Sequence, residues 1–183
     1  MFFDIHSNRL HYRQINAEDW PFYLALRHDE QVMQFVADRL PEATIRREKF
    51  EVRLPEWRKG STHWLCLVIM EKSNTTPLGL TGFIDRGEGI AEVGFMLATS
   101  AQGQGFGAES LRDISQFALR ELGYRKLVAT VTAGNEASRK TLLKVGFQQE
   151  GTLRKNYFLG GEWRDDWLLG LLADEFHAEL ARD

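Results

Sequence analysis

Short runs of alternating apolar and polar residues recur along the chain, and stretches with apolar residues at helical spacing lie between them. Period-two alternation or a continuous apolar run predicts a strand, whereas apolar residues three and four positions apart predict an amphipathic helix. These patterns predict strands over residues 8–15, 63–71, 78–85, 91–97, 126–131, 147–154 and 163–172. They predict helices over residues 16–27, 30–36, 41–60, 102–122, 135–145 and 174–181, with Pro55 as a potential break in the third.

The order of these elements predicts a mixed sheet. Short polar turns join the strands over 63–71, 78–85 and 91–97, as in an antiparallel meander. The strand over 91–97 is followed by a helix and then by the strand over 126–131, so these two strands should be parallel, with a right-handed connection. The expected fold class is therefore α/β (mixed α+β), with a mostly antiparallel sheet of six to seven strands.

The turn that opens the helix over 102–122 is rich in glycine. Gly103, Gly105 and Gly107 keep side chains out of the turn, so several backbone N–H groups can converge at a helix N-terminus. The unpaired N–H groups and the helix dipole both favour an anion there. The sequence therefore predicts a phosphate-binding turn.

Three kinds of phosphate-binding turn are possible in principle. A Walker A loop requires Lys and then Ser or Thr, but Ala108-Glu109 follows the last glycine. A dinucleotide-binding turn fits Gly103-x-Gly105-x-x-Ala108, but that fold needs an acidic residue at the end of the next strand, and residues 129–132 contain none. The third possibility is the pattern Gln102-x-x-Gly105-x-Gly107.

The composition narrows the possible functions. With 183 residues the chain is expected to form one domain over residues 1–183. The net charge of −3 argues against nucleic acid, and no apolar run predicts a membrane span or a signal peptide. Cys66, the single cysteine, lies in an apolar strand, where an inert core role and a reducing, cytoplasmic location are expected. The five histidines show no metal-ligand spacing, so no metal is expected.

A second motif favours the third kind of turn. Asn135-x-x-Ser138 precedes Lys144-x-Gly146-Phe147 in the chain. Together with the glycine-rich turn, this pattern resembles the GNAT superfamily of acetyltransferases, and the resemblance covers residues 8–173. Some features resemble its ribosomal-protein N-acetyltransferase (RimJ/RimL-like) branch: Arg9-Leu10, the segment Asn16-Ala17-Glu18-Asp19, Tyr157 and Asp165-Asp166.

The resemblance implies a GNAT fold with helices on both faces of the sheet and a central pair of parallel strands that splay apart. The pantetheine arm of acetyl-CoA would fill the gap, and its pyrophosphate would bind the N–H groups of the turn. The implied cofactor-binding residues are Phe95, Met96, Leu97, Gln102, Gly103, Gln104, Gly105, Phe106, Gly107, Asn135, Ser138 and Lys144.

The resemblance also implies direct acetyl transfer to an amine, without a covalent enzyme intermediate. The N–H of Leu97 would stabilise the oxyanion. Glu92 would accept the amine proton, directly or through a water, or would only pair with an arginine. Ser138 would protonate the departing thiolate, or would only cap a helix, with Tyr157 as the second choice of acid. Related members can carry an acid just before the position of Tyr157, where this chain has Asn156.

The acceptor is less constrained by the sequence. The resemblance implies the N-terminal α-amine of a protein such as a ribosomal protein. The alternatives are a small amine (a polyamine, an amino acid or an aminoglycoside) and a non-catalytic module that only binds acyl-CoA. Arg27, His28 and Asp29, at the junction of the first two helices, could border the acceptor groove or be plain surface. The acidic residues Asp85, Glu88, Asp165 and Asp166 could attract a cationic amine or a basic peptide, and their spacing does not choose between them. No nucleic-acid or membrane partner is expected, and the oligomer is expected to be a monomer or a homodimer.

Overall fold

A seven-stranded mixed sheet forms the centre of the computed structural model, which describes residues 3–177. The strands lie in the order β1-β2-β3-β4-β5-β7-β6, and only β4 and β5 are parallel neighbours. The fold class predicted from the sequence is therefore confirmed. The bounds of the seven strands are β1 Leu10–Gln14, β2 Leu65–Glu71, β3 Pro77–Gly87, β4 Ile90–Leu97, β5 Lys126–Thr132, β6 Gln148–Leu159 and β7 Glu162–Leu172.

Five α-helices flank the sheet within the described residues. They are α1 Trp20–His28, α2 Glu30–Met33, α3 Glu42–Ile45, α4 Phe106–Gln116 and α5 Glu136–Val145. None of these helices is long and apolar enough to cross a membrane. A capped 3-10 turn, Ala17–Asp19, precedes the first helix: the Asn16 side chain accepts from the N–H of Glu18, and Asp19 accepts from the N–H of Asn16.

Two apolar clusters pack on opposite faces of the sheet. Buried side chains of α4 and α5, such as Leu111, Ile114 and Leu142, share one cluster with Phe83 and Leu127 of the sheet. The other cluster joins side chains of α1, α2 and α3 to the opposite face, with members that include Tyr23, Met33, Ile45, Val68 and Leu80. Helices therefore cover both faces, as the sequence predicts.

Two of the predicted helices differ from those observed. The predicted helix over 41–60 divides into α3, a π-helical turn over Arg46–Phe50 and a 3-10 turn over Glu51–Arg53. It ends before Pro55, which cannot donate a helical hydrogen bond and restricts the residue before it. The described part of the predicted C-terminal helix is only a 3-10 turn, Ala173–Glu175, and residues 178–181 lie outside the described residues.

The parallel strands β4 and β5 separate along their length. They pair only through Ile90 with Lys126, Ala91 with Leu127 and Glu92 with Val128. Beyond these positions β4 runs on to Leu97 and β5 to Thr132 without pairing to each other. A wedge-shaped gap therefore opens in the middle of the sheet, and an unpaired strand edge normally carries a free-energy cost.

Candidate functional site

A cavity of about 370 Å³ opens where β4 and β5 diverge. Its walls include Val93 to Met96 on one strand and Ala129 to Thr132 on the other. Other residues of the lining come from α1, the turn after α2, β2, β3, α5 and the β6–β7 hairpin, so both faces of the sheet contribute to it. This arrangement gives an extended molecule a route through the sheet.

Two glycines make room for the cavity on the face that α1 and α2 cover. Cys66, Gly82 and Gly94 lie opposite one another on β2, β3 and β4. A Cβ atom at Gly94 would lie 3.2 Å from the Trp64 ring, and one at Gly82 would overlap the carbonyl oxygen of Leu65. Side chains at these two positions would therefore collide with their neighbours.

The backbone of Leu97 faces the gap. Ala98 donates its N–H to the carbonyl oxygen of Leu78 on β3 at 2.8 Å, and Leu97 lies opposite Gly79. Because hydrogen-bonded and non-hydrogen-bonded pairs alternate along an antiparallel ladder, the N–H of Leu97 points away from β3 and toward β5. The Leu97 carbonyl oxygen accepts from Gln102 Nε2 at 3.1 Å, which joins this edge to the glycine-rich turn.

The glycine-rich turn leads directly into α4. Gly103 and Gly105 have φ angles of 73° and 82°, a left-handed conformation that side chains disfavour. Gly105 is the residue that caps α4, so the first N–H groups of an eleven-residue helix emerge beside the turn. Gln104 Nε2 donates to the carbonyl oxygen of Ser100 at 2.8 Å, which keeps this side chain on the turn itself.

Arg9 braces the glycine-rich turn from β1. Its guanidinium lies 4.3 Å from the centre of the buried Phe106 ring and donates to the carbonyl oxygen of Gln104 at 3.0 Å. It also donates to Glu109 Oε2 at 2.7 Å. Burial alone would raise the pKa of Glu109, but hydrogen bonds from Arg9 and Ser7 outweigh it and hold that pKa below its usual range. Glu109 is therefore an ionised anchor for Arg9.

Asn135 and Ser138 line the cavity at the N-terminus of α5. Asn135 Oδ1 accepts from the Ser138 N–H, and Asn135 Nδ2 donates to Ser138 Oγ, both at 3.2 Å. Ser138 Oγ acts as an acceptor in this pair, so its own O–H can donate into the cavity. The predicted Lys144 is exposed on the last turn of α5 and does not line the cavity.

Tyr157 enters the cavity from the β6–β7 hairpin. The register between β6 and β7 shifts between Leu153 and Tyr157, and Tyr157 donates its hydroxyl to the carbonyl oxygen of Val36 at 2.7 Å. Burial raises the pKa of Tyr157, with the charges of Asp38 and Asp166 acting in the same direction. Its hydroxyl therefore stays protonated across the neutral range.

Glu92 lies outside the lining of the cavity. Its Oε2 atom accepts from Arg86 Nε at 2.6 Å and also from the Nη2 of the same guanidinium. The sequence left two roles open for Glu92, a base for the amine proton or a partner of an arginine. The structure contains the ion pair with an arginine. The role of Glu92 as a base stays a prediction.

Asp166 is the carboxylate that does line the cavity within the described residues. It is buried, and its two oxygens accept from Thr132 Oγ1 at 3.2 Å and from Asn156 Nδ2 at 2.8 Å. The sequence did not single out this residue, because Glu162, Arg164 and Asp165 precede it in the same strand.

Two arginines line the end of the cavity that α1 covers. Arg27 is only 9 % exposed, and no hydrogen bond or ion pair of its side chain is found among residues 3–177. Arg53 is half-buried and donates to the carbonyl oxygen of Lys49. Burial lowers the pKa of Arg27, and the positive charge of Arg53 adds to that effect. Sequence reasoning missed Arg53, which lies in the helical segment that its pattern describes poorly.

Cys66 also lines the cavity, but it is not a nucleophile at neutral pH. Burial raises its thiol pKa to about 12, so the neutral thiol persists and about one molecule in 10⁴ is a thiolate at pH 8. We expect a thiol-specific disulfide reagent to leave the folded protein unlabelled at pH 8 and to label one equivalent after denaturation. Cys66→Ala should retain kcat, and a large loss of kcat would contradict this role.

Comparisons with known proteins agree with the geometry. Residues 9–148 match the family model described as an acetyltransferase (GNAT) domain. The uncharacterized N-acetyltransferase YnaD of Bacillus subtilis is 23 % identical over 173 residues, which cover 94 % of this chain and 99 % of YnaD.

Two solved structures share the fold. The spermidine N-acetyltransferase of Vibrio cholerae, in complex with CoA and spermine, superposes with a TM-score of 0.74 at 18 % identity, over 91 % of this chain and 96 % of its own. The ribosomal-protein-S5-alanine acetyltransferase of Vibrio fischeri gives a TM-score of 0.76 at 18 % identity, over 94 % and 97 % of the two chains. With a family model that matches most of its length, the chain belongs to the GNAT family of acetyl-CoA-dependent N-acetyltransferases.

Proposed function

We propose that this chain binds acetyl-CoA across the gap between β4 and β5 and transfers the acetyl group directly to a primary amine, most readily the N-terminal α-amine of a protein such as a ribosomal protein. One observation carries the proposal: the β4–β5 ladder stops at Glu92 and Val128 while both strands continue. The amides of a pantetheine arm pair with backbone groups as a strand does, and this would satisfy the open edge of β4.

The residues around the gap fit each part of acetyl-CoA. The backbone of Phe95, Met96 and Leu97 faces the pantetheine arm, and Asn135 and Ser138 lie across the gap from it. The N–H groups of residues 103–107 suit the pyrophosphate, since a glycine-rich helix N-terminus favours an anion. Lys144, which is exposed, is left with at most a long-range attraction to the phosphates. Acetyl-CoA supplies the thioester that is attacked.

Transfer requires that two protons move. The amine nitrogen forms a bond to the acetyl carbon, the bond from carbon to sulphur breaks, and the amine proton leaves to a base. The departing thiolate takes up a proton, for which Ser138 is the first candidate donor and Tyr157 the second. We propose Asp166 as the carboxylate that faces the amine, because it lines the cavity. Glu92 is the second candidate base and would act through a water, since Arg86 holds its carboxylate outside the lining.

The residue at position 156 supports Asp166 as the carboxylate that faces the amine. Where related N-terminal acetyltransferases can carry an acid, this chain has Asn156, whose Nδ2 donates to Asp166 Oδ2 at 2.8 Å. A carboxylate on β7 therefore lies within one hydrogen bond of the side chain on β6 that replaces the acid. The same region of the site keeps a negative charge, now carried by the neighbouring strand.

The basicity of the amine favours an α-amine. An α-amino group has a pKa of about 8 and an alkylammonium about 10, so the α-amine loses its proton more easily near neutrality. The names of the two solved neighbours give an S5 alanine and spermidine, so the shared fold alone does not choose between them. Arg27 and Arg53 disfavour a polycation in this cavity, and they favour an amino acid among the small amines.

The proposal is tested by mixing the purified protein with acetyl-CoA and a panel of acceptors and following the release of free thiol. The panel holds peptides with different N-terminal residues, spermidine, an aminoglycoside and free amino acids. We expect turnover with peptides of one N-terminal residue type or with free amino acids, and much slower turnover with spermidine.

Three results would change the proposal. Turnover with spermidine alone would remove the α-amine acceptor and keep the site. Calorimetry that finds no binding of acetyl-CoA would overturn the assignment of the gap and the turn. Tight binding of acetyl-CoA without turnover of any acceptor in the panel would remove the acceptors proposed here.

A further inference from the structure

The end of the cavity that α1 covers carries positive charge without a matching negative charge beside it. Arg27 is nine-tenths buried, lines the cavity and has no hydrogen-bond or ion-pair partner of its side chain within residues 3–177. Buried charges in proteins normally have a partner, and no nitrogen of Arg27 is among the fully enclosed unpartnered atoms of residues 3–177, so its guanidinium is open to the cavity. A ligand in the cavity is the partner that the structure leaves room for.

A second guanidinium lines the same cavity. Arg53 comes from the turn after α3, and Nη1 is engaged by the carbonyl oxygen of Lys49, a neutral acceptor. Arg27 and Arg53 repel each other enough to affect the pKa of Arg27. Because both guanidiniums line one cavity, an anion bound there would be attracted by both of them. Arginine forks match a carboxylate in a bidentate manner.

The remaining charged group in the lining has the opposite sign. Asp166 lies on β7, and its charge and that of Arg27 act in opposite directions on the hydroxyl of Tyr157. The charges of Asp166 and Arg27 therefore both act on the Tyr157 hydroxyl. A molecule that reaches from Asp166 to the two arginines must present a cation at one end and an anion at the other.

From this arrangement we propose that the acceptor is a zwitterion, a primary amine whose carbon skeleton also bears a carboxylate, with Arg27 and Arg53 binding the carboxylate and Asp166 facing the ammonium. Free amino acids and peptides with an acidic residue near the N-terminus both have this chemistry. The inference rests on the proposed function, since it specifies the acceptor of that same site.

The coenzyme does not account for the two arginines. The lining that holds Arg27 and Arg53 includes no residue of the turn over 103–107, where the pyrophosphate is proposed to bind. Phosphate binding and carboxylate binding are therefore separable by mutation. A change at Arg53 should alter the choice of acceptor without altering the affinity for CoA.

The test compares acceptors with and without the carboxylate, at a pH above the amine pKa of both members of each pair. Thiol release is measured with L-amino acids and with the corresponding amino acid amides, which keep the α-amine and the size but lose the negative charge. A second pair consists of peptides with Asp or Asn as the second residue. We expect kcat/KM to be about ten- to a hundredfold higher for the acid in at least one pair, the effect of a hydrogen-bonded charge.

Variants then assign this preference to the arginines. Arg53→Gln and Arg27→Gln should each reduce the ratio of acid to amide by about tenfold or more, with the CoA dissociation constant unchanged. Arg53 is the informative position if Arg27→Gln does not fold, because it is half-buried. Arg47→Gln is the matched control, since Arg47 is exposed, pairs with Glu48 and lies outside the cavity lining.

The outcomes separate this inference from the proposed function. Equal rates for acids and amides, or a ratio that the arginine variants leave unchanged, would overturn the zwitterionic acceptor and keep the transferase. If no acceptor turns over, calorimetry of each acid and its amide with the CoA-saturated protein decides. Binding of the acid that Arg53→Gln weakens supports the inference, and equal or absent binding overturns it. Turnover of free amino acids or of acidic peptides shows which of these two classes supplies the acceptor.

Discussion

Leu97→Pro should lower kcat by about 10²- to 10³-fold while the protein still folds and binds CoA. Proline has no N–H, so this change removes the donor that faces the gap and that we propose as the oxyanion site. The ladder to β3 should survive, because its hydrogen bond at this end is made by the Ala98 N–H and not by that of Leu97. Proline is tolerated where a strand position donates no ladder hydrogen bond.

The control for this prediction is Leu97→Ala, which removes more of the leucine side chain than proline does but keeps the N–H. It should lose packing against Gly79 and α4 and yet retain most of kcat. Calorimetry with CoA and a urea titration of both variants separate catalysis from binding and folding. Equal kcat values for the proline and alanine variants would exclude the N–H of Leu97 as the oxyanion donor.

The sheet and the glycine-rich turn could be predicted because their signals are local. Gly103 and Gly105 adopt the left-handed φ angles that the turn requires, and the strand–helix–strand order over 91–131 allows only one handedness. The paired motifs then identify the family, which the match over residues 9–148 confirms. The point where β4 and β5 separate was available only through the resemblance, because no residue pattern marks the end of a ladder.

The positions of the charged side chains around the cavity could not be predicted from the sequence in the same way. Glu92 carries a carboxylate that could act as a base. Its position relative to the cavity depends on a hairpin that brings Arg86 into contact with it. Arg27 looks like a surface residue in a helical pattern, and only the packing of α1 on the sheet buries it. The segment over residues 42–53 begins as α3 and continues as a π-helical turn and then a 3-10 turn. A regular helical period therefore does not show where Arg53 points.

Ser138→Ala should lower kcat by about 10²-fold or more, the effect of a positioned acid, with little change in KM for acetyl-CoA. The physical reason is the direction of its hydrogen bonds. Ser138 Oγ already accepts from Asn135 Nδ2, so the hydroxyl proton is the part of the group that remains to be donated to the departing thiolate. The alternative role of Ser138 as the cap of α5 is wrong, because the cap is Asn135, whose Oδ1 accepts from the Ser138 N–H.

Tyr157→Phe is the comparison that decides between the two hydroxyls. The Tyr157 proton is held by the Val36 carbonyl oxygen at 2.7 Å, so its removal should mainly loosen the hairpin against α2 and affect kcat less than Ser138→Ala does. Because burial raises the pKa of Tyr157 above its usual value of 10, the O–H remains intact at pH 9 to 10. The wild-type rate should therefore rise through the pKa of the acceptor amine and should not fall again below pH 10.

A change of leaving group completes the test of Ser138. An acetyl donor whose thiol is more acidic needs less protonation as it departs, so the ratio of wild-type to Ser138→Ala rates should shrink with such a donor. A residue that only stabilises α5 would leave this ratio unchanged, whatever its effect on stability. If Ser138→Ala retains full kcat and Tyr157→Phe loses it, the acid is Tyr157, and its hydrogen bond to Val36 must break when substrates bind.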